Sequence, residues 1–135
     1  MGAIEDVTKS MPRVLVVDDD PGIQLLVTRL LLRDGWSVDT ADDGITALAK
    51  IRATQPDVVV LDVMLPQMSG LALLENLHRE QPLRNVVIVT AASTRTLQSL
   101  ECGQDVWEIV RKPFDIADLV ASVRSCAFAH SVSKQ

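Results

Sequence analysis

The stretch that decides the fold is DVVVLDVMLP, residues 57–66 of the chain. It contains an unbroken apolar run, Val58 to Leu61, which is typical of a central strand that helices cover on both faces. The run stops at a single acid, Asp62, and apolar residues resume behind it. A charge at the end of a buried strand is costly unless another group compensates it, so Asp62 predicts a compensating group elsewhere in the chain.

Similar apolar runs occur on both sides of this stretch, and helical patterns separate them. Strand and helix alternate five times with short connections, which predicts an α/β fold with a five-stranded parallel sheet between layers of helices. This is the three-layer, doubly wound (βα)5 architecture. The predicted strands are 13–17, 36–40, 58–61, 85–90 and 106–110.

Local signals predict where the helices begin and end. Gly35 is expected to end the first helix, and Pro56 is expected to end the second. Ser69 and Asp115 are expected to cap the third and fifth helices. A polar fourth helix is predicted at 94–101. The apolar residues expected to share one face of the fifth helix are Ile116, Leu119, Val120 and Val123.

Length and composition predict one globular domain, because 135 residues with 47% hydrophobic content can bury a real core. We assign this domain to residues 13–130, after a flexible leader at 1–12 and before a frayed tail at 131–135. The net charge of −5 argues against direct binding to nucleic acid, which needs a basic face. We expect a cytoplasmic protein without membrane contact, since the sequence has neither a secretory signal nor a membrane-spanning apolar run.

Charged or hydroxyl side chains occur where four of the predicted strands end. Asp18 and Asp19 follow the first strand, and Asp62 follows the third. Thr90 ends the fourth strand, and Lys112 follows the fifth. Because parallel strands joined by right-handed crossovers all end at one edge, where ligands bind in such folds, these side chains are predicted to share one pocket.

The chemistry of that pocket favours a hard divalent cation and phosphoryl transfer. Three close carboxylates raise one another's pKa unless a cation neutralises them, and Lys112 supplies only one positive charge. Mg²⁺ prefers oxygen ligands and pairs carboxylates with phosphate oxygens. Asp62 is therefore the candidate nucleophile, and Thr90 could donate a hydrogen bond to a phosphoryl oxygen. The predicted metal ligands are Asp18, Asp19, Asp62 and the backbone carbonyl of Met64.

Four motifs occur in this order: VLVVDDDP (14–21), DVVVLDVMLPQMSG (57–70), VIVTA (87–91) and KPF (112–114). Together they resemble the receiver domain of bacterial two-component response regulators over nearly the whole chain, 13–128. The resemblance implies a flavodoxin-like (βα)5 fold and Mg²⁺ at the carboxylates. It implies that Asp62 accepts a phosphoryl group from a histidine kinase or phosphotransfer protein. It also implies slow self-dephosphorylation without turnover of an external substrate, and a cis peptide bond between Lys112 and Pro113.

The sequence departs from the family pattern at the position three residues before the lysine. Family members commonly have Tyr or Phe there, but this chain has Ile109, with Trp107 two residues earlier. The family implies a downstream protein partner that binds the fourth helix, the fifth strand and the fifth helix, and Trp107 is a candidate for apolar contact. A monomer and a phosphorylation-dependent dimer are both compatible with the sequence.

One alternative interpretation remains open, and two others are disfavoured. A non-phosphorylated pseudo-receiver would use the same fold as an interaction scaffold, and Ile109 keeps this alternative open. An aspartyl-phosphate phosphatase is disfavoured, because Met64 stands where such enzymes carry a second acid. A flavodoxin is disfavoured as well, since the acids at residues 18–20 would repel a flavin phosphate.

Overall fold

A computed structural model describes residues 12–65, 68–80, 85–91 and 106–133. The strands are β1 (Arg13–Val17), β2 (Ser37–Ala41), β3 (Val58–Leu61), β4 (Val86–Thr90) and β5 (Val106–Arg111). The described helices are α1 (Pro21–Arg33), α2 (Gly44–Thr54), α3 (Gly70–Glu80) and α4 (Ile116–Ser133). The strands form one parallel sheet in the order β2-β1-β3-β4-β5, which confirms the predicted fold class.

Two predicted segments need comment. The predicted fourth helix, 94–101, lies outside the described residues, so the helix predicted as the fifth is α4 in this numbering. That helix continues to Ser133, within the segment predicted as a tail. Strand β2 begins one residue later than predicted, because the Trp36 amide donates to Leu31 O at 3.0 Å and so belongs to the end of α1.

The strand ends lie level at the carboxyl edge of the sheet. Val17, the last residue of β1, is in register with Ala41 of β2 and with Leu61 of β3. At the other side of the sheet, Thr90 of β4 is in register with Arg111 of β5. Residues that follow these strands therefore lie next to one another at this edge, as predicted for the candidate site residues.

The central strands are apolar throughout because helices cover both faces of the sheet. In β3, Val58 and Val60 pack into a core with α1 and α4, whereas Val59 and Leu61 pack into a second core with α2 and α3. All four side chains are at most 3% exposed. In the described part of the chain, no helix has the length and apolar character needed to cross a membrane.

The structure confirms the helix ends predicted at Ser69, Asp115 and Gly35 and adds one cap, Asp20. Asp20 caps α1, since its Oδ1 accepts from Gly22 N at 2.8 Å and from Ile23 N at 3.2 Å. Ser69 Oγ accepts from Ala72 N at 3.2 Å. Asp115 and Gly35 lie at two further helix ends. Asp115 Oδ1 accepts from Ala117 N at 2.8 Å, and Gly35 has a φ of 95° just after α1, where a left-handed backbone favours glycine.

The prediction for the buried face of α4 was partly wrong. Leu119 and Val123 are fully buried, as expected, but Ile116 is 45% exposed. Ile116 is the first residue of the helix, where the covering of the core ends. Cys126 continues the buried face instead, and burial raises the pKa of its thiol to about 12. This thiol therefore behaves as a small apolar side chain.

The segment between β3 and α3 packs closely against the start of α2. A Cβ atom at Gly44 would lie 2.8 Å from Met68 Cβ and closer still to the Met68 carbonyl oxygen. Gly44 is buried, so an added methyl group could not point into solvent. The absence of a side chain at this position thus allows the segment that follows Asp62 to pack where it does.

We expect Gly44→Ala to lower the free energy of unfolding by about 1–3 kcal/mol, because the new methyl group overlaps backbone atoms in a packed region. Urea denaturation measures this loss. Gly22→Ala is the matched control, since its Cβ would lie 3.3 Å from Asp20 Oδ1, a side-chain atom that has to shift only slightly to make room. Equal losses for the two variants would contradict the proposed close packing at Gly44.

Candidate functional site

Backbone hydrogen bonds hold the predicted site residues to neighbouring strands. Asp62 N donates to Val17 O at 3.0 Å, and Asp18 N donates to Ala41 O at 3.2 Å. On the other side, Lys112 N donates to Thr90 O at 3.0 Å. The ladder of the sheet therefore continues one residue past several strands, which fixes the direction in which these side chains leave the sheet.

Asp62 is buried, and its carboxylate accepts three hydrogen bonds. Oδ1 accepts from the Thr90 hydroxyl at 2.9 Å and from Met64 N at 3.0 Å. Oδ2 accepts from Lys112 Nζ at 3.1 Å. These are the compensating groups that the charge at the end of β3 predicts, since a buried carboxylate is tolerated only when it is paired and hydrogen-bonded.

Lys112 connects Asp62 to a second buried acid, Asp18. Its Nζ lies 2.9 Å from Asp18 Oδ2, and Asp18 Oδ1 accepts from Asp20 N at 2.9 Å. Burial raises the pKa of Asp18 above its usual range, although these hydrogen bonds oppose the shift. Burial alone would lower the pKa of Lys112, but its bonds to both carboxylates outweigh that effect and raise it.

Three carboxylates form a cluster that suits a divalent cation. One oxygen from each of Asp18, Asp19 and Asp62 lies within 4.8 Å of the others. Asp19 is exposed, so the cluster is open to solvent on one side. Lys112 contacts two of these acids and leaves negative charge in excess. An all-oxygen donor set with excess negative charge fits the preference of Mg²⁺.

The structure brings together the side chains that the sequence singled out, whereas their roles remain predictions. Thr90 is fully buried and contacts Asp62, and the bond between Lys112 and Pro113 is cis, as the resemblance implies. Met64 donates its amide to Asp62, and its side chain is 61% exposed. This contact brings the Met64 peptide to the site, but the role of its carbonyl as a metal ligand stays a prediction.

Sequence reasoning missed one polar residue beside the site, Gln24. Its Nε2 lies 3.0 Å from Asp18 O, 3.3 Å from Ala41 O and 2.7 Å from Asp42 Oδ1. The only signal in the sequence is its position one turn after the cap Asp20, on the helix that follows the first acidic loop. Two of its acceptors, Ala41 O and Asp42 Oδ1, lie where β2 ends, so the spacing of residues along α1 does not predict them.

The position that departs from the family pattern is part of the core. Ile109 is half-buried and packs against the core formed with α2 and α3. The side chain of Trp107 lies outside the described part of the structure. The apolar contact expected for Trp107 therefore stays a prediction.

A family profile, described as the response regulator receiver domain, matches residues 14–124. The "Probable transcriptional regulatory protein TcrX" of Mycobacterium tuberculosis is 45% identical over 114 residues, which cover 83% of this chain and 48% of that protein. The "DNA-binding dual master transcriptional regulator RpaA" of Synechocystis sp. is 34% identical over 119 residues, which cover 85% and 48% of the two chains. The chain thus spans about half the length of these relatives.

Solved structures of receiver domains match this chain over nearly their full length. A response regulator receiver domain protein (CheY-like) from Methanospirillum hungatei JF-1 is 30% identical with a TM-score of 0.82, covering 92% of this chain and 99% of that one. The Francisella response regulator 1452 receiver domain is 32% identical with a TM-score of 0.79, covering 88% and 98%. These similarities agree with the fold described above.

We expect Lys112→Met to lower the free energy of unfolding by roughly 2–3 kcal/mol in a buffer without divalent cations. The variant leaves two buried carboxylates without their cation, and the loss is smaller than for a fully buried pair because the Lys112 side chain is 18% exposed. Added Mg²⁺ should restore part of the loss. Urea denaturation with and without Mg²⁺ measures both effects.

The same variant should recover stability as the pH falls toward the pKa of Asp18 in the folded protein. Burial holds the pKa of Asp18 above its unfolded value, so the folded state takes up a proton more readily and the penalty disappears as that proton binds. Lys50→Met, which removes an exposed pair with Asp39, is the control and should cost at most about 1 kcal/mol. A Lys112→Met loss that is no larger, or that is insensitive to pH and Mg²⁺, would contradict this account.

Proposed function

Because the chain belongs to the family of response regulator receiver domains, we propose that it accepts a phosphoryl group on Asp62 from the phosphohistidine of a histidine kinase or phosphotransfer protein. The reaction is Mg²⁺-dependent and takes place in the cytoplasm. The observation that carries this proposal is the Asp62 carboxylate, held by Thr90, Met64 and Lys112 at the open edge of the sheet.

Asp62 acts as the nucleophile. One of its carboxylate oxygens forms a bond to the phosphorus of the donor, the phosphorus–nitrogen bond breaks, and the imidazole leaves with its electron pair. The hydrogen bonds from Thr90 and Met64 orient the carboxylate before the reaction, so little reorganisation is needed. The apolar strand behind Asp62 prevents its carboxylate from retreating into the core.

The residues that would hold Mg²⁺ are Asp18, Asp19, Asp62 and the Met64 carbonyl. When bound there, Mg²⁺ neutralises negative charge on the transferring phosphoryl oxygens. Lys112 supplies a further positive charge, since its ammonium lies about equally far from Asp18 and Asp62, at 2.9 and 3.1 Å. Asp20 has no ligand role in this scheme, because its carboxylate caps α1.

Phosphorylation changes what Thr90 and Lys112 can bind. The Thr90 hydroxyl and the Lys112 ammonium both bind oxygens of the Asp62 carboxylate, which loses its own charge when one of these oxygens becomes the bridging oxygen of an acyl phosphate. Both donors then turn to the phosphoryl oxygens, which are stronger acceptors. The protein turns over no external substrate, and water slowly removes the phosphoryl group.

The phosphorylation test uses acetyl phosphate and Mg²⁺ with intact-mass spectrometry. We expect the mass of the wild-type chain to rise by one phosphoryl group, and Asp62→Asn to abolish the gain because the amide is not a nucleophile. Asp57→Asn is the matched control, since this acid lies at the opposite end of β3 and accepts from Arg13 N at 2.8 Å. It should leave the mass gain unchanged.

No mass gain with any phosphodonor would sink the proposal and would favour the pseudo-receiver alternative, in which the fold serves as an interaction scaffold. A gain that persists in Asp62→Asn would assign the acceptor elsewhere. A gain that does not require Mg²⁺ would overturn the metal assignment while leaving Asp62 as the acceptor.

We further propose that the phosphorylated state is sensed by a protein partner at β5 and the start of α4, as part of the surface that the predicted fourth helix would complete. A groove of about 540 Å³ lies there between β5 and α4. Its lining includes three acids, Glu108, Asp115 and Asp118, together with Arg111 and the half-buried Phe114. This chemistry suits an apolar segment with basic residues.

The proposed partner is a protein, or a second copy of the chain, and not nucleic acid. The net charge of −5 opposes contact with phosphates, even though the relative RpaA is named as DNA-binding. The chain spans about half the length of such relatives. DNA binding in a longer regulator would then be the task of another segment, which this domain controls through protein contacts.

Hydrogen exchange tests whether β5 responds to phosphorylation. We expect acetyl phosphate with Mg²⁺ to change amide exchange in residues 108–115, because this segment includes Lys112 and lines the groove. Exchange in α2, on the other face of the sheet, should not change. The Asp62→Asn variant treated in the same way is the control. A response confined to residues near Asp62 would contradict the proposed route to the groove.

A further inference from the structure

The Gln24 side chain joins two loops at the carboxyl edge of the sheet. Its amide nitrogen, on α1, approaches Asp18 O in the loop after β1, and Ala41 O and Asp42 Oδ1 where β2 ends. The shortest of these contacts, 2.7 Å, is to the Asp42 carboxylate. A charged acceptor makes the strongest of the three bonds, so Asp42 anchors the amide.

The contact to Asp18 O is the one that bears on the metal site. This oxygen belongs to the peptide group between Asp18 and Asp19, so a donor that fixes it also fixes the plane from which both acidic residues extend. The Asp18 carboxylate has other restraints, from Asp20 N and Lys112. Asp19 is exposed, and its orientation depends more on the backbone that carries it.

We propose that Gln24 is a positioning residue that sets the affinity of the site for Mg²⁺, by holding the peptide between the two acids from outside the carboxylate cluster. This inference rests on the proposed function, since it concerns the same Mg²⁺ site. Gln24 binds no metal and contacts no carboxylate of the cluster. It acts through the backbone, in the way that partners beyond the direct ligands orient metal-binding side chains.

The test is a calorimetric titration of Mg²⁺ into the full chain without a phosphodonor. Gln24→Met keeps the length of the side chain and removes the donor. We expect its Kd for Mg²⁺ to rise about tenfold, within the range found when such supporting partners are removed. In a phosphorylation assay, the Mg²⁺ concentration for half-maximal rate should rise by the same factor. The rate at saturating Mg²⁺ should stay within about twofold of wild type.

Lys50→Met is the structural control, since Lys50 Nζ likewise donates from a helix to a β2 carbonyl, Thr40 O, at 2.5 Å, but does not touch the acidic loop. It should leave the Kd within about twofold of wild type. If both variants weaken Mg²⁺ binding equally, the effect is a general loosening of β2, and the inference is wrong. A Gln24→Met Kd equal to that of wild type would also overturn it.

A second pair of variants keeps the inference testable if Gln24→Met does not fold. Asp42→Asn retains the Oδ1 acceptor without the charge, whereas Asp42→Ala removes the anchor of the Gln24 amide. We expect Asp42→Ala to weaken Mg²⁺ binding more than Asp42→Asn. Equal effects would assign the change to charge and would overturn the inference. A wild-type chain that binds no Mg²⁺ would remove both this inference and the metal assignment.

Discussion

The Lys112 ammonium, held between the buried carboxylates of Asp18 and Asp62, is the interaction on which the site depends. Without it, two like charges would face each other at the carboxyl edge of the sheet, where burial already raises the pKa of Asp18. One cation cannot neutralise three acids, and the remaining negative charge suits a divalent cation. The same interaction therefore stabilises the fold and leaves negative charge that such a cation could neutralise.

The precision of the site comes from the sheet and from contacts between loops. Helices cover β3 on both faces, so Asp62 emerges from a strand that has little freedom to move. The loops around it are less constrained by the sheet. The segment after β3 packs closely against α2 because Gly44 has no side chain and leaves room for Met68. The Gln24 side chain joins the loops after β1 and β2. The geometry of this edge thus depends on residues that carry no chemistry themselves.

The sequence is most informative where one local property has one physical cause. The run from Val58 to Leu61 predicts β3 because burial on both faces demands apolar side chains at every position. Parallel topology then brings the strand ends together, which is why Asp62 and Lys112 could be expected to meet although 50 positions separate them. Gln24 and Ile116 could not be assigned in this way. The partners of Gln24 lie on another element, and the exposure of Ile116 depends on where the neighbouring core ends.

Under the proposed function, Ile109 in place of the family's usual aromatic residue limits how a signal can leave the site. Ile109 has no polar group, so phosphorylation cannot give it a new hydrogen bond, and it is packed against the core formed with α2 and α3. Arg111 and Pro113, the chain neighbours of Lys112, line the groove between β5 and α4, as Ile109 does. Lys112 differs from Ile109 because it contacts Asp62 directly. Under the proposed function, a change in the partners of Lys112 therefore acts on backbone next to the groove, and Lys112 is the direct connection between Asp62 and this surface.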